Sequence, residues 1–297
     1  MRYRPLGPTG MAISVISLRL DDCGARPRPA DWQAFLYAAF ECGINAFEIV
    51  GRHPALIEGV GLALQAIERR LVFVALRLGV GPGRDFSPDG MRHLIDSVIT
   101  RTGVDYLDAV VLDDPQSEEL TPYALETLRG ISQSGRARML GVGGDDDAID
   151  AYLSAGAFDL LRTPFSLTSG WKDRLRLKAA MEHDMGVIGY GYHPEGLIRA
   201  PAPASRPSLF GPRANPLAGI GSYAFLHEMH SWTSEELCLA YALTEPALAS
   251  VQVSVDSIEV LEALSAVSER DLPPGLGAQI EMARFGTGAK PVQTRRA

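Results

Sequence analysis

The chain has 297 residues, of which 46% are hydrophobic and 22% charged. This composition is typical of one large soluble domain or two small ones and excludes a disordered, coiled-coil or collagen-like protein. The formal net charge of −8 argues against a nucleic-acid-binding surface. The segment Met1–Arg4 leads into a turn and not into the apolar stretch of a signal peptide. No run reaches the ~20 apolar residues of a membrane helix. Cys23, Cys42 and Cys238 show no disulfide or metal-ligand spacing, so we expect a cytoplasmic protein without membrane insertion.

Apolar periodicity defines the predicted elements in chain order. Two extended segments, Arg2–Leu6 and Ala12–Leu18, flank a Gly/Pro turn and predict an N-terminal β-hairpin. The first sheet strand is expected near Ile16–Leu20. The further predicted strands are Ile44–Ile49, Leu71–Leu78, Tyr106–Leu112, Ala137–Val142, Phe158–Leu161, Gly186–Tyr190 and Leu248–Val253. The clearest helical patterns between them are Ala30–Cys42, Pro88–Thr102, Pro122–Ser134 and Ser257–Val267.

Strands that alternate with amphipathic helices indicate a parallel sheet covered by helices, and about eight such repeats favour a closed (β/α)8 TIM barrel. A doubly wound open sheet is the alternative, but no Gly-rich fingerprint follows the first strand. We assign residues 1–283 to one barrel and residues 284–297 to a flexible tail. Residues 201–223 are rich in Pro, Ala, Gly and Ser, which predicts a functional or mobile loop.

Five short sequence segments, taken together and in order, resemble the aldo-keto reductase family. They are Tyr3–Gly10, Cys42–Glu48, Thr102–Asp108, Gly135–Val142 and Gly186–Tyr190. The resemblance implies a TIM barrel whose active site and nicotinamide site lie at the carboxyl ends of the strands. It also implies reduction of carbonyls with a tyrosine as proton donor, supported by a lysine, an aspartate and a histidine.

All four of these catalytic positions carry a different residue here. His53 stands in place of the tyrosine, Arg77 of the lysine, Glu48 of the aspartate and Asp113 of the histidine. An adjacent Arg77 disfavours the charged imidazolium that a proton donor needs, and arginine cannot act as a titratable neighbour. The carboxylate of Asp113 opposes the developing alkoxide. We therefore expect no catalytic residues of the family type, and a buried Glu48–Arg77 ion pair at the barrel mouth.

The resemblance also implies a cofactor site, which is only partly retained. Tyr190 matches the aromatic residue on which the family stacks the nicotinamide ring, and Gly196 matches a loop glycine. The changed positions are Arg19 for a glycine, Gly143 and Gly144 for the Ser-Asn pair that binds the carboxamide, and Arg162 for a glutamine.

The final strand is followed by Ser254 and Asp256, where family members bind the adenosine 2′-phosphate. An acidic residue there repels a phosphate and accepts hydrogen bonds from free ribose hydroxyls, which favours NAD(H) over NADP(H). Backbone amides of the helix that begins near Ser257 are able to hold a phosphate.

The degenerate pattern leaves three functions open. Some reductase-like proteins with a similar pattern regulate cell division, which implies an NAD(H)-binding protein that contacts the tubulin-like division GTPase FtsZ and a histidine kinase such as DivJ. The alternatives are an active NAD(P)H-dependent reductase of aldehydes or ketones that uses His53 as its acid, and a lyase or isomerase that uses Glu48, His53 and Asp113. The partner surface and the oligomeric state are not readable from the sequence.

The remaining histidines, acidic residues and tryptophans of note are interpreted as structural. His193, His227 and His230 lack metal-ligand spacing, so no metal site is expected. The run 145–147 is interpreted as a helix cap. Trp171 and Trp232 are expected to pack in the core.

Overall fold

The computed structural model describes residues 1–21, 26–81, 83–194, 223–227 and 229–288. The strands are β1 (Tyr3–Leu6), β2 (Met11–Ser14), β3 (Ile16–Leu20), β4 (Ala46–Ile49), β5 (Phe73–Leu78), β6 (Leu107–Asp113), β7 (Ala137–Gly143), β8 (Leu160–Pro164), β9 (Gly186–Tyr190) and β10 (Ser250–Val253). The helices are α1 (Pro29–Glu41), α2 (Pro54–Leu64), α3 (Pro88–Thr102), α4 (Pro122–Gln133), α5 (Asp147–Ser154), α6 (Trp171–Glu182), α7 (Ser234–Leu243), α8 (Ile258–Val267) and α9 (Leu276–Gly288).

Strands β3 to β10 form a closed parallel barrel in which β10 pairs with both β3 and β9. Strands β1 and β2 form a separate antiparallel hairpin. These findings confirm the predicted (β/α)8 TIM barrel with an N-terminal hairpin. Within the described ranges, no helix is both long enough and apolar enough to cross a bilayer.

Side-chain caps fix where several helices begin, and so where the loops above the strands end. The hydroxyls of Ser87 and Thr121 accept hydrogen bonds from the backbone at the starts of α3 and α4. Asp146 does the same for α5, accepting from the backbone N–H of Ile149 at 3.0 Å, which confirms the interpretation of the acidic run 145–147 as a cap. Proline at the first turn of α3 and α4 supports the same boundaries.

The barrel interior is apolar at the amino ends of the strands. Leu6 and Ile13 from the hairpin are fully buried there against inward side chains such as Phe73 and Met139. Gly7 has φ +49°, and a Cβ at this position would lie 2.6 Å from the backbone nitrogen of Gly186 at the start of β9. The hairpin therefore closes this end of the barrel by direct backbone approach, and polar groups are left to the opposite end.

Arg4 ties the hairpin to the far end of the chain. Its guanidinium donates hydrogen bonds to the backbone carbonyls of Leu243, Glu245 and Leu248, at 2.7, 2.9 and 2.6 Å. Burial lowers the pKa of Arg4. Leu243 ends α7, where a helix leaves its last acceptors unsatisfied, and Glu245 and Leu248 lie in the connection to β10. One side chain therefore binds three backbone carbonyls at once.

Two predicted boundaries are wrong. The extended segment Ala12–Leu18 is broken at Val15, because Ser14 pairs with the hairpin while Ile16 enters the barrel. The predicted tail begins inside helix α9, which continues through Gly288; there Arg284 donates to the Ser169 carbonyl at 2.8 Å. The bond joins α9 to the loop before α6, and the sequence after residue 283 gave no sign of it because that segment lacks apolar periodicity.

The expectation for the tryptophans is half wrong. Trp232 is partly buried against the core, with Arg270 stacked 3.4 Å from its ring centre. Trp171, by contrast, is 75% exposed. The predicted loop at 201–223 lies outside the described residues except for Tyr223, which is buried.

We predict that Arg4→Ala lowers the free energy of unfolding by about 2–3 kcal/mol, because three carbonyls lose a charged donor in a half-buried setting. Urea unfolding followed by circular dichroism measures this loss. The matched control is Arg2→Ala, an exposed arginine of the same segment, which should leave the midpoint unchanged. An unchanged midpoint in the Arg4 variant would contradict the proposed role.

Candidate active site and nucleotide site

A buried network of charges fills the barrel mouth. Glu48 on β4, Arg77 on β5, Arg162 on β8 and Gln252 on β10 are each 4–5% exposed. Arg77 donates to the Glu48 carboxylate in a close ion pair and to Gln252 Oε1 at 2.9 Å. Gln252 in turn donates from Nε2 to Glu48 Oε2 at 2.8 Å, across the barrel interior. The Glu48–Arg77 ion pair predicted from the sequence is confirmed.

A second arginine extends this network towards solvent. Arg162 Nε donates to Gln252 Oε1 at 3.2 Å and lies 3.7 Å from Glu48 Oε2. Asp113, at the end of β6, is 28% exposed and places Oδ1 3.5 Å from Arg162 Nη1 and 3.8 Å from Arg77 Nη1. Two guanidinium groups therefore face two carboxylates, and the mouth is neutral without any added ion.

Opposing effects set the protonation of these groups. Burial raises the pKa of Glu48, but the neighbouring Arg77 and Arg162 outweigh burial and hold it below its usual value. Burial lowers the pKa of Arg77, and the Glu48 carboxylate more than restores it. Burial also lowers the pKa of Arg162, with Arg77 adding to the effect. The network is thus composed of charged groups that stabilise one another.

His53 lies apart from these strands, at the N-cap of α2. Its side chain is exposed, and Nδ1 accepts a hydrogen bond from the backbone N–H of Ala55 at 3.3 Å. The imidazole is thus engaged as a helix cap and does not join the buried network.

Gly143 ends β7, where it pairs with Asp113 of β6 and Arg162 of β8, and Gly144 follows it. Gly144 has φ +141°, and a Cβ there would lie 2.6 Å from the Asp114 carboxylate. Asp114 itself has a left-handed backbone, with φ 50°. Glycine at position 144 is therefore required by packing, whereas a side chain at Gly143 would meet ordinary contacts of 3.5 Å.

A cavity of about 360 Å³ opens beside the network, where β3, β9 and β10 end. Its polar lining includes the guanidinium groups of Arg19 and Arg162, the hydroxyl of Ser254 and the ring of His193. No carboxylate is among the described residues that line it. The Nε2 atom of His193 is buried and has no hydrogen-bond partner in the described part of the chain. Such a lining fits an anionic group.

Tyr190 lies on the wall of the same cavity. The guanidinium carbon of Arg162 sits 3.7 Å from the centre of its ring, a cation–π contact that covers one ring face. Burial raises the pKa of the Tyr190 hydroxyl, while Arg162 opposes this shift. A planar ligand that stacks on that face must first displace Arg162.

Asp256 and Gly196, two further residues predicted to bind the cofactor, are not among the described residues that line the cavity. Asp256 is placed beside Arg26, whose guanidinium donates to the Asp256 backbone carbonyl at 2.8 Å. A positive charge at this position weakens the argument that Asp256 alone repels a 2′-phosphate. Gly196 lies outside the described residues.

Sequence reasoning missed Gln252 and His193. Gln252 alternates with Ser250 and Ser254 along β10, and this polar run at every second position is the signal for an inward-facing polar residue. His193 follows Tyr190 by three residues in a loop, where no periodicity indicates a direction.

Comparison with known proteins decides the family. The family model described as "Aldo/keto reductase family" matches residues 18–283. The chain belongs to the aldo/keto reductase family. The sequence-based resemblance is confirmed at this level, and the chain is an oxidoreductase of the aldo-keto reductase type.

Two curated aldo/keto reductase relatives span most of the chain. L-galactose dehydrogenase of Arabidopsis thaliana is 26% identical over 287 residues, 91% of this chain and 89% of the relative. The NADH-specific methylglyoxal reductase of Escherichia coli is 25% identical over 309 residues, 90% of each. An aldo-keto reductase from Bacillus halodurans in its holo form superposes with a TM-score of 0.76 at 20% identity, over all of both chains. Another from Klebsiella pneumoniae, in complex with NADPH, gives 0.70 at 18% identity over 95% of each.

We predict that Glu48→Gln destabilises this aldo/keto reductase by about 3–5 kcal/mol at neutral pH, because two buried guanidinium groups lose their shared carboxylate. The folded-state pKa of Glu48 is depressed below 4.5. Its contribution is therefore present above pH 4.5 and lost as the pH falls through the folded-state pKa.

The difference between the wild type and this variant should accordingly shrink as the pH is lowered from 4.5. Urea unfolding at a series of pH values measures it. Glu118→Gln, which changes an exposed carboxylate, serves as the control and should show no such trend. A constant difference at all pH values would show that Glu48 does not act through its charge.

Proposed function

We propose that this protein is a nicotinamide-nucleotide-binding member of the family with little or no carbonyl reductase activity, which regulates a protein partner according to its nucleotide occupancy. One observation carries the proposal. Glu48 and Arg77, which stand at two of the four catalytic positions, bond to each other and to Gln252, which also binds Arg162, while the cavity beside them keeps an anion-binding lining.

The cavity supports binding of the phosphate half of a nicotinamide nucleotide better than its ring. Arg162 and Arg19, which also lies 3.0 Å from Asp21 in an ion pair, offer guanidinium donors to a diphosphate. Ser254 and His193 Nε2, which has no hydrogen-bond partner among the described residues, offer weaker contacts. Tyr190 offers a ring face once Arg162 has moved. Gly143 and Gly144 have no side chains to bind the carboxamide. When bound, the nicotinamide supplies hydride chemistry at the mouth.

The chain's own groups are poorly suited to complete a carbonyl reduction. An incoming hydride turns a carbonyl oxygen into an alkoxide, which needs a proton and a positive neighbour. Arg77 is already ion-paired, and the partly exposed Asp113 presents negative charge at the mouth. The His53 side chain is engaged as the N-cap of α2, away from the buried network. These features together oppose turnover.

We infer that NAD(H) is the preferred nucleotide and NADP(H) the weaker one. The carboxylate of Asp256 favours free ribose hydroxyls, although Arg26 beside it moderates the effect. The printed name of the Escherichia coli relative records an NADH-specific enzyme with a similar sequence.

The regulatory part of the proposal rests on the resemblance to degenerate family members such as the cell-division regulator KidO, which is similar in motif pattern. We propose protein partners of the same kind, a division GTPase such as FtsZ and a histidine kinase such as DivJ. Because a nucleotide that stacks on the ring face of Tyr190 covered by Arg162 must displace Arg162, occupancy of that face changes the charge at the mouth. Pull-downs with and without NADH test the coupling, and equal partner affinity in both would exclude it.

The second candidate is an active reductase of aldehydes or ketones with altered catalytic residues. It is favoured by the relatives, a dehydrogenase and a methylglyoxal reductase that align with about nine-tenths of this chain. In that case His53 would have to leave its capping position to reach a substrate oxygen.

Titration calorimetry with NADH and NADPH, beside a hydride-transfer assay on methylglyoxal and simple aldehydes, separates the two. We predict NADH binding without turnover in the wild type. The quadruple variant Glu48→Asp, His53→Tyr, Arg77→Lys and Asp113→His restores the family residues, and should raise the reduction rate by at least ~10²-fold through regained acid catalysis. Turnover in the wild type that His53→Ala abolishes would establish the second candidate instead.

We predict further that Arg19→Ala weakens NADH binding about tenfold, since a charge-assisted hydrogen bond to phosphate is lost. Calorimetry at two salt concentrations measures this, and the salt dependence should fall in the variant. The control is Arg92→Ala, a partly exposed arginine on α3 whose substitution should leave affinity unchanged. Equal NADH affinities of the wild type and the Arg19 variant would show that Arg19 does not contact the phosphates of the nucleotide.

A further inference from the structure

Arg162 covers one face of the Tyr190 ring at the wall of the cavity beside the buried network. The two residues come from the adjacent strands β8 and β9, and the guanidinium carbon lies 3.7 Å from the ring centre. A guanidinium is planar, and over an aromatic face it makes a contact that a planar ligand group would also make. The side chain of Arg162 therefore takes a place that such a group would otherwise fill.

Several polar contacts hold Arg162 against the ring. Its side chain is 5% exposed, its Nε donates to Gln252 Oε1 at 3.2 Å, and its Nη1 lies 3.5 Å from Asp113 Oδ1. The same Nε lies 3.7 Å from Glu48 Oε2. A ligand ring that displaces Arg162 gives up these contacts along with the cation–π contact. What the ring gains by stacking is therefore offset by what the network loses.

The other aromatic side chains on the described wall of the cavity offer no equivalent place. Tyr192 is buried, and its hydroxyl donates to Glu235 Oε1 at 2.8 Å. The ring of His193 lies beside that of Tyr192, with 6.4 Å between the ring centres. Tyr190 is only partly buried. A planar group that enters the cavity therefore competes with Arg162 for the Tyr190 face.

The phosphates of a nucleotide do not enter this competition. The side chain of Arg19 is 36% exposed, and Ser254 is exposed at the end of β10. Both line the cavity, and neither belongs to the buried network. Charge-assisted hydrogen bonds from a guanidinium to a diphosphate need no change in the position of Arg162. The cavity thus favours the diphosphate portion of a nucleotide over its planar nicotinamide end.

Taking the cavity to hold a nicotinamide nucleotide, as proposed above, we propose that Arg162 is a specificity-determining residue. It keeps the nicotinamide ring from adding to the affinity, so the site recognises the ADP-ribose portion that NAD⁺, NADH and free ADP-ribose share. The oxidised and reduced nucleotides differ only in the ring. The protein therefore responds to the total amount of nucleotide and not to its oxidation state.

Titration calorimetry of the full chain with NADH, NAD⁺ and ADP-ribose tests the proposal. We expect the three dissociation constants of the wild type to agree within about threefold. Arg162→Gln removes the competing guanidinium, and this variant should bind NADH about tenfold more tightly than ADP-ribose, since the ring is then free to stack on Tyr190. The ratio of the two constants within one variant cancels any loss of phosphate contacts that both ligands share.

The matched control is Arg19→Gln, the same substitution at the other arginine of the cavity. Arg19 pairs with Asp21, so its loss should weaken NADH and ADP-ribose by the same factor. Adding Tyr190→Leu to Arg162→Gln should remove the preference for NADH, because the stacking face is gone. Circular dichroism verifies that the variants are folded.

The fluorescence of bound NADH gives a readout that needs no variant. In the wild-type complex the nicotinamide emission should keep the wavelength that it has in water, because the ring is not held against the protein. In the Arg162→Gln complex the emission should move to shorter wavelength. The wild-type emission and the wild-type comparison of ligands decide the question without the variant.

The outcomes separate this proposal from the function on which it rests. A wild type that binds NADH tenfold more tightly than ADP-ribose, or that shifts the emission of bound NADH, would overturn the role of Arg162 and leave nucleotide binding intact. A folded Arg162→Gln variant that still binds the two ligands equally would overturn it as well. A wild type that binds none of the three nucleotides would overturn the proposed function and this proposal together.

Discussion

The ion pair between Glu48 and Arg77 is the constraint on which the barrel mouth depends. An arginine buried on β5 requires a carboxylate within reach, and a second buried arginine at position 162 requires further acceptors. Gln252 meets that need because its carbonyl accepts from both guanidinium groups while its amide donates to Glu48. Four strands are thereby fixed to one another through side chains. Glu48 and Gln252 thus find their partners within the network, whereas Arg77 Nε is buried without a hydrogen-bond partner among the described residues.

The amino end of the barrel contributes mainly to stability, whereas the carboxyl end carries the candidate site. The hairpin seals the amino end with apolar side chains, so that end contributes packing. The carboxyl end carries all the buried charges of the network and, next to it, a cavity lined by Arg19 and Arg162. A barrel can lose its catalytic residues without losing its fold because the two properties rest on different layers of side chains.

The sequence reveals the fold and half of the site. Periodicity shows each strand, and the resemblance to the aldo-keto reductases places Glu48 and Arg77 at two positions of one catalytic tetrad, so the two are expected to meet. Gln252 was not foreseen, because only barrel closure brings β10 within reach of β4, and no local pattern encodes closure. Trp171 was misjudged for a related reason. An apolar residue at the start of a helix predicts burial, but its actual direction depends on how the helix packs against its neighbours.

Arg4 also bears on the order in which the molecule is completed. Its three acceptors lie 239, 241 and 244 residues further along the chain. During synthesis the hairpin leaves the ribosome before the barrel strands, yet its anchor does not exist until nearly the whole barrel has been made. Contacts of such sequence separation form late and slowly. The nascent protein therefore spends most of its synthesis with an open seam between β3 and the missing β10, exposed to chaperones and proteases.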